Sequence, residues 1–283
     1  MNQDNKPKLV SATRKEILDP QGSSRGGIAG LFETLMRRFK VAVHAITLLP
    51  FYAIASLCLG FAATPGAYLL SWISRSLEAA DASLIVKAPI LAIGFAASYF
   101  IYGFAMILVV PVFNLVLMGG RLQPWRGPYY SLPAVKWYMH NGLAYLVRYT
   151  FLPFITPTPF NLFFFRAMGM RVGSGTIINT EHISDPSLIT MEEKVTIGGS
   201  VTIIAHYGVG GYLIIAPVKV CKGATIGIRA TLMAGVEVGE GAKVLPHSVV
   251  LPKTKIGPGE TWGGVPARRM DDAELRSALS RSS

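Results

Sequence analysis

Charge is scarce in this chain. Asp, Glu, Lys and Arg make up 15% of its 283 residues and apolar types 51%, a balance too greasy for an ordinary soluble protein. Residues 41–74 and 88–120 contain none of the four. Each run exceeds the roughly 20 residues that cross a bilayer. Cysteine is nearly absent: Cys58 lies in an apolar run and Cys221 far downstream. No disulfide framework is indicated, which suits a reducing compartment. Histidine is confined to His44, His140, His182, His206 and His247, with no close pair. That is poor material for a zinc site built from three histidines. Acidic residues are outnumbered 16 to 27, giving a net charge of +11. No aromatic–basic interleaving or zinc spacing accompanies the excess, so nucleic acid is not an expected partner. A surface of anionic lipid, or an anionic cofactor, is.

What is present divides the chain. Residues 1–30 are polar and aperiodic, and a mobile arm is expected there. Leu31, Phe32, Leu35 and Met36, with Arg37, Arg38 and Lys40, predict an amphipathic entry helix at a membrane surface. The apolar run behind it is too long for a secretory signal. The two charge-free runs predict a transmembrane hairpin within residues 31–120, with Pro50, Pro65 and Pro111 as candidate kinks. His44 falls near the first interface. Basic residues cluster before the first span and after the second, which places both termini in the cytoplasm. The expected location is therefore the inner, cytoplasmic membrane, crossed more than once. Residues 121–168 form an aromatic-rich linker broken by Pro153, Pro157 and Pro159. An interfacial or re-entrant segment is expected, and a third crossing at 149–165 stays open.

The rest of the chain repeats. Ile214, Val220, Ile226, Leu232, Val238, Val244, Val250 and Ile256 recur every six residues. Ala224, Ala230, Ala242, Ser248 and Thr254 fall four places after a slot, and Gly227, Gly239 and Gly257 directly after one. A period of six suits neither a helix nor a simple strand. It predicts a parallel β-helix of triangular coils, with the aliphatic inside and glycine relieving the turn. A weaker phase runs through Val172, Ile178, Met191, Ile197 and Ile203, interrupted at 181–188. Between Ile203 and Ile214 the register slips by one, on the Gly-rich stretch 206–212, which predicts a loop leaving the wall. The β-helix is expected over 169–270. The tail 271–283 is expected to hold a short surface helix at 271–279.

These hexads resemble the left-handed parallel β-helix of hexapeptide-repeat acyltransferases. The stretch Ile203-Ile204-Ala205-His206, the Gly-rich interruption and the closing Trp262-Gly263-Gly264-Val265-Pro266-Ala267-Arg268 resemble the galactoside and maltose O-acetyltransferases. With its membrane helices the chain is also similar to the membrane-linked C-terminal modules of poly-lysine-synthetase-type peptide synthetases. The resemblance implies a membrane-bound enzyme taking an acyl group from acyl-CoA, without a metal, to a hydroxyl or amine of a lipid, glycan or small acceptor. It implies His206 as general base, a role suited to a group titrating near neutrality. His182 and Asp185 are candidates to bind the acceptor or orient His206. For the donor it implies Gly227, Ala234, Gly235, Lys253, Gly264, Val265, Pro266, Ala267 and Arg268, at the seam between subunits of a homotrimer. His140 and His247 read as structural, and Cys221 as part of the wall. The competing readings are a non-catalytic β-helix scaffold, a synthetase-like condensation module acting on carrier-bound aminoacyl groups, and a hexapeptide carbonic anhydrase.

Overall fold

The computed structural model describes residues 22–23, 25–119, 121–271 and 273–274. Most of the expected arm, and the tail helix beyond Glu274, lie outside the described residues. Among the described residues, five α-helices precede the coils: α1 (Gly27–Arg38), α2 (Lys40–Ala79), α3 (Leu84–Met118), α4 (Leu132–Thr150) and α5 (Pro159–Ala167).

The entry helix begins at Gly27, inside the stretch expected to be an arm. It is amphipathic with its faces reversed relative to a soluble helix. Glu33, Met36 and Arg37 are buried, while Ile28, Leu31, Phe32 and Leu35 are exposed. The buried acid has work on the protein side. Glu33 Oε1 accepts a hydrogen bond from the Leu132 amide at 3.1 Å, at the N-terminus of α4, where the helix dipole favours a negative charge. Its other oxygen accepts from Ser23 Oγ at 2.6 Å, and Arg37 lies 3.8 Å away.

Helices α2 and α3 pack against each other and run through their internal prolines, Pro50 and Pro65 in one, Pro89 and Pro111 in the other. Small residues let the pair approach closely: Ser98 Oγ donates to the carbonyls of Gly94 at 2.8 Å and Gly66 at 3.1 Å. Stretches Leu48–Ala79 and Leu84–Leu117 are long and apolar enough to cross a membrane. On α3, Met106, Ile107 and Val110 are buried, and this helix packs against α4. The proline-broken end of the linker folds as a 3-10 turn (Leu152–Ile155) and the nine-residue α5, each shorter than a crossing requires. Phe151 is buried beside Tyr99, Phe104 and Phe154.

From Arg171 onward the strands stack in three parallel sheets, each taking every third strand. Val220 lies beside Val238, and Val238 beside Ile256. Ile226 lies beside Val244, and Val244 beside Trp262. Leu232 lies between Ile203 and Val250. The aliphatic slots from Val220 to Ile256 are all buried, so each coil buries three branched side chains against those above and below.

Two sequence expectations need correction. Ile214 is not a coil slot: it pairs with Arg126 and Tyr207 in a separate antiparallel sheet. Val220 sits beside Met191 on one side and Val238 on the other, so the interruption inserts a whole hairpin, not a one-residue slip. Glycines 227 and 239 do not relieve the turn. A Cβ there would come within 2.5 and 2.6 Å of the backbone of the next coil. The left-handed corners fall two residues later, at Arg229 and Gly241, and likewise at His247 and Lys253.

Candidate active site

The chain leaves the β-helix wall at Ala205 and returns at Ala216, whose amide donates to the Ala205 carbonyl at 2.9 Å. Between them His206–Val209 and Tyr212–Ile215 form an antiparallel hairpin. Its outer strand pairs with Trp125–Pro128 of the linker. His206, at the root of this hairpin, therefore has its backbone fixed by both the coils and the helical region.

Its side chain is held more tightly still. His206 Nδ1 lies 2.6 Å from Asp185 Oδ2. Asp185 has a left-handed backbone, φ 60° and ψ 48°, at the corner before Pro186, and its side chain is completely buried. A buried carboxylate is tolerable only when its lone pairs are occupied. Here they are: Oδ2 also accepts from the Ala205 amide at 3.1 Å, and Oδ1 accepts from Trp137 Nε1 at 2.7 Å and from Asn141 Nδ2. Asn141 Oδ1 in turn accepts from the Asp185 amide at 3.0 Å. Trp137 and Asn141 stand four residues apart on α4 and so share one face. The Trp137 ring also meets the imidazole edge-on, 4.7 Å between centroids.

Because an ionised carboxylate can only accept, the proton of a neutral His206 belongs on Nδ1. The lone pair is then on Nε2, the arrangement a general base requires. His206 opens onto a cavity of about 480 Å³, lined by Phe51 of α2 and by Trp137, Tyr138, Gly142, Tyr145, Leu146 and Tyr149 of α4.

The structure brings Asp185 to His206 but leaves His182 elsewhere. His182 Nδ1 contacts Arg148, and its Nε2 lies 3.3 Å from Glu181. Of the residues expected to hold the donor, Ala234, Gly235 and Lys253 occupy the same corner as His206. The register Ile203, Leu232, Val250 stacks those corners, and the Lys253 amide donates to the Ala234 carbonyl at 2.9 Å. Gly264 and Ala267 bond the backbone of Val249 on the same face, and the intervening Val265 and Pro266 extend outward, Val265 exposed. Gly227 is on a different corner, against Pro246. Arg268 pairs with Glu274 at 2.6 Å.

The remaining candidates are accounted for. His140 is fully buried, with Nδ1 2.8 Å from Asn114 Oδ1 and Nε2 3.4 Å from Ser187 Oγ. Burial drives its pKa down to about 4, so it is neutral at physiological pH. His247 is an exposed corner residue. Cys221 faces a separate cleft of about 680 Å³ with Lys219, Glu237 and Lys255, and burial pushes its thiol pKa up, away from thiolate chemistry.

No family model matches the chain. It is 24% identical over 175 residues to a delta-poly-L-ornithine synthetase of Acinetobacter baumannii, covering 62% of this chain and 13% of that one. It is 38% identical over 112 residues to mitochondrial gamma carbonic anhydrase 2 of Arabidopsis thaliana, covering 38% of each. The chain thus spans a minor part of either curated relative. Its structural neighbours are hexapeptide-repeat acetyltransferases. One, from Vibrio cholerae, is 25% identical with a TM-score of 0.34, covering 37% of this chain and 63% of that one.

Proposed function

We propose that this chain is a membrane-bound acyltransferase that moves an acyl group from acyl-CoA to a hydroxyl or amine of a lipid, glycan or small acceptor. The observation that carries this reading is the 2.6 Å contact of His206 Nδ1 with fully buried Asp185. It leaves Nε2 to take the acceptor's proton as the acceptor oxygen or nitrogen attacks the thioester carbon. The C–S bond then breaks, and the CoA sulfur leaves and takes up a proton. No covalent enzyme intermediate is needed, and Cys221 stays a bystander. The donor lies along the corner that carries Ala234, Gly235 and Lys253, where small side chains admit a pantetheine arm and Lys253 meets phosphate. Gly264, Val265, Pro266 and Ala267 line the end of that face.

The apolar outer surface of α2 and α3 and the reversed faces of α1 support the membrane assignment. In this reading both termini and the coils are cytoplasmic and the α2–α3 turn is on the far side. A left-handed coil and a homotrimer, with the donor at the subunit seam, belong to the same proposal. A second reading is favoured by the 24% identical synthetase: a carrier-bound aminoacyl thioester replaces acyl-CoA and an amine attacks it. A carbonic anhydrase reading of the other relative would need three histidines around zinc, and the five histidines of this chain include no close pair.

The test is acyl transfer from labelled acyl-CoA by the detergent-solubilised chain, set against a carrier-bound aminoacyl thioester. His206→Ala should lower turnover by roughly 10²–10⁴-fold, the usual worth of a general base, with the fold retained. Parent-like turnover in His206→Ala, or an acyl group trapped on Cys221, would overturn the assignment.

A further inference from the structure

The cavity beside His206 is walled almost entirely by rings and aliphatics. Phe51, Trp137, Tyr138, Tyr145, Leu146 and Tyr149 make up most of it, with Asn141, Thr150 and the His206 imidazole as its other polar side chains. Among the described residues no lysine or arginine lines it, so a polyanion would lose its hydration there with no cation to offset the cost. The polyanionic donor therefore has no place in it, and the proposed donor edge, with Lys253, runs along the coils instead. The cavity falls within the roughly 300–1,000 Å³ range of small-molecule sites.

Its position says how it is reached. Phe51 belongs to α2, and its neighbours Leu49 and Tyr52 are exposed on the apolar outer surface of that helix. Phe51 also packs against Tyr138, with ring centroids 5.9 Å apart, and against Gly142, where a Cβ would come within 2.4 Å of the Phe51 ring. The wall of the cavity is thus continuous with the surface that faces lipid in the membrane reading, and its inner end is the imidazole.

We infer that this cavity is the acceptor site and that it takes an amphiphile. The reacting hydroxyl or amine sits at His206, and an attached uncharged apolar chain lies between α4 and Phe51. This deepens the acyltransfer reading and rests on it for the identity of the reaction, though binding of the chain can be measured without turnover.

The probe is 2-bromododecan-1-ol, whose bromine, one carbon from the hydroxyl, quenches an adjacent indole. Fluorescence is recorded on the full chain in detergent, and the signal of Trp137 is taken as the difference between the parent and Trp137→Phe. The expected result is saturable quenching of that difference, weakened at least tenfold by Leu146→Phe, which fills the cavity. Phe51→Ala, which widens it, should retain quenching and shows that substitution alone does not abolish the signal. In turnover, dodecyl alcohol or amine should exceed its butyl counterpart at least tenfold in kcat/KM, and Leu146→Phe should erase that preference. Non-saturable quenching, or quenching unchanged by Leu146→Phe, overturns the proposal. So does quenching of Trp137 by a bromine on the acyl chain of acyl-CoA in place of the alcohol, because the cavity would then serve the donor. Saturable binding in a chain that transfers no acyl group supports the amphiphile site and sinks the acyltransfer reading alone.

Discussion

The helical region and the coils solve opposite solvation problems. In the coils the large apolar side chains point inward, in columns such as Val220–Val238–Ile256, and the exposed ones are few: Ile177, Val209, Ile228, Leu251 and Val265. In the helices many large apolar side chains face outward, among them Leu49, Leu57, Ile93, Phe95 and Val116, while Met106, Ile107, Val110 and Leu143 fill the interior. That interior also holds polar groups: Glu33, Arg37, Asn114, His140 and Asn141 are all buried. In the membrane reading, the same chain is built for water on one side of the linker and for lipid on the other. The candidate site lies on the line between them, because Asp185 belongs to the coils and its clamps Trp137 and Asn141 to α4.

The contrast can be broken most directly with one acid placed in each half. Val238→Asp would bury an unpaired carboxylate in the aliphatic column. It should cost more than about 4 kcal/mol, enough to unfold the coils, read as lost protease resistance of the C-terminal half. Ile93→Asp on the outer face of α3 should leave the coils intact and cost about 2.5–3.5 kcal/mol of insertion. Its signature is a larger fraction extracted from membranes by alkaline wash. An unchanged membrane fraction would count against the outward-facing helices being lipid-facing.

The seam should respond to acid. His140 joins Asn114 of α3 to Ser187 of the coils, and its pKa in the fold is about 4 against about 6.5 unfolded. The unfolded chain binds the proton first, so stability is full above about pH 6.5 and declines as pH falls toward about 4. The loss by then is up to about 3 kcal/mol. Thermal unfolding in detergent across pH 4–8 should show that slope, and His140→Gln should flatten it. A slope of equal size in the variant would assign it to other groups.

Asn141→Ala removes one of the two donors to Asp185 Oδ1 and the acceptor of the Asp185 amide. A cost of about 1–3 kcal/mol is expected, together with a shift in the pH profile of turnover as the imidazole loses its fixed partner. A cost without that shift would make Asn141 structural only. The smallest effect belongs to the outer wall of the coils. The pair of Lys219 and Glu192, 2.9 Å apart and half exposed, lowers the Glu192 pKa through that hydrogen bond. Glu192→Gln should still change stability by less than about 1 kcal/mol, measured by denaturant unfolding of the coils.

How much of this was legible in the sequence follows from what each feature leaves as a pattern. The slots Val220 to Ile256 were readable because one inward aliphatic recurs in every strand at a fixed interval of six. Ile214 kept the period by coincidence and misplaced the start of the regular coils, since a hairpin's alternation can fall in phase with a hexad. His206 and Asp185 stood out as polar residues at interruptions of a repeat, though spacing could not pair them across two coils. The α4 clamp was missed. Trp137 reads as one aromatic among many in the linker, and the signal that could have found it is the polar Asn141 four residues on. The reversal of α1 was also hidden: a hydrophobic period shows that a helix has two faces and is silent on which one meets protein.

The strand Trp125–Pro128 is made long before its partner. It pairs with Tyr212–Ile215, so during synthesis it waits while the intervening helices and the first two coils emerge. Contacts of such sequence separation form late because loop closure precedes any gain from them. The coils are held by their sequence neighbours, and the helical region touches them along α4, α5 and the linker. The junction holding His206 is therefore the one part that neither half can complete alone, and a chain in which it had not closed would have sound halves and no site.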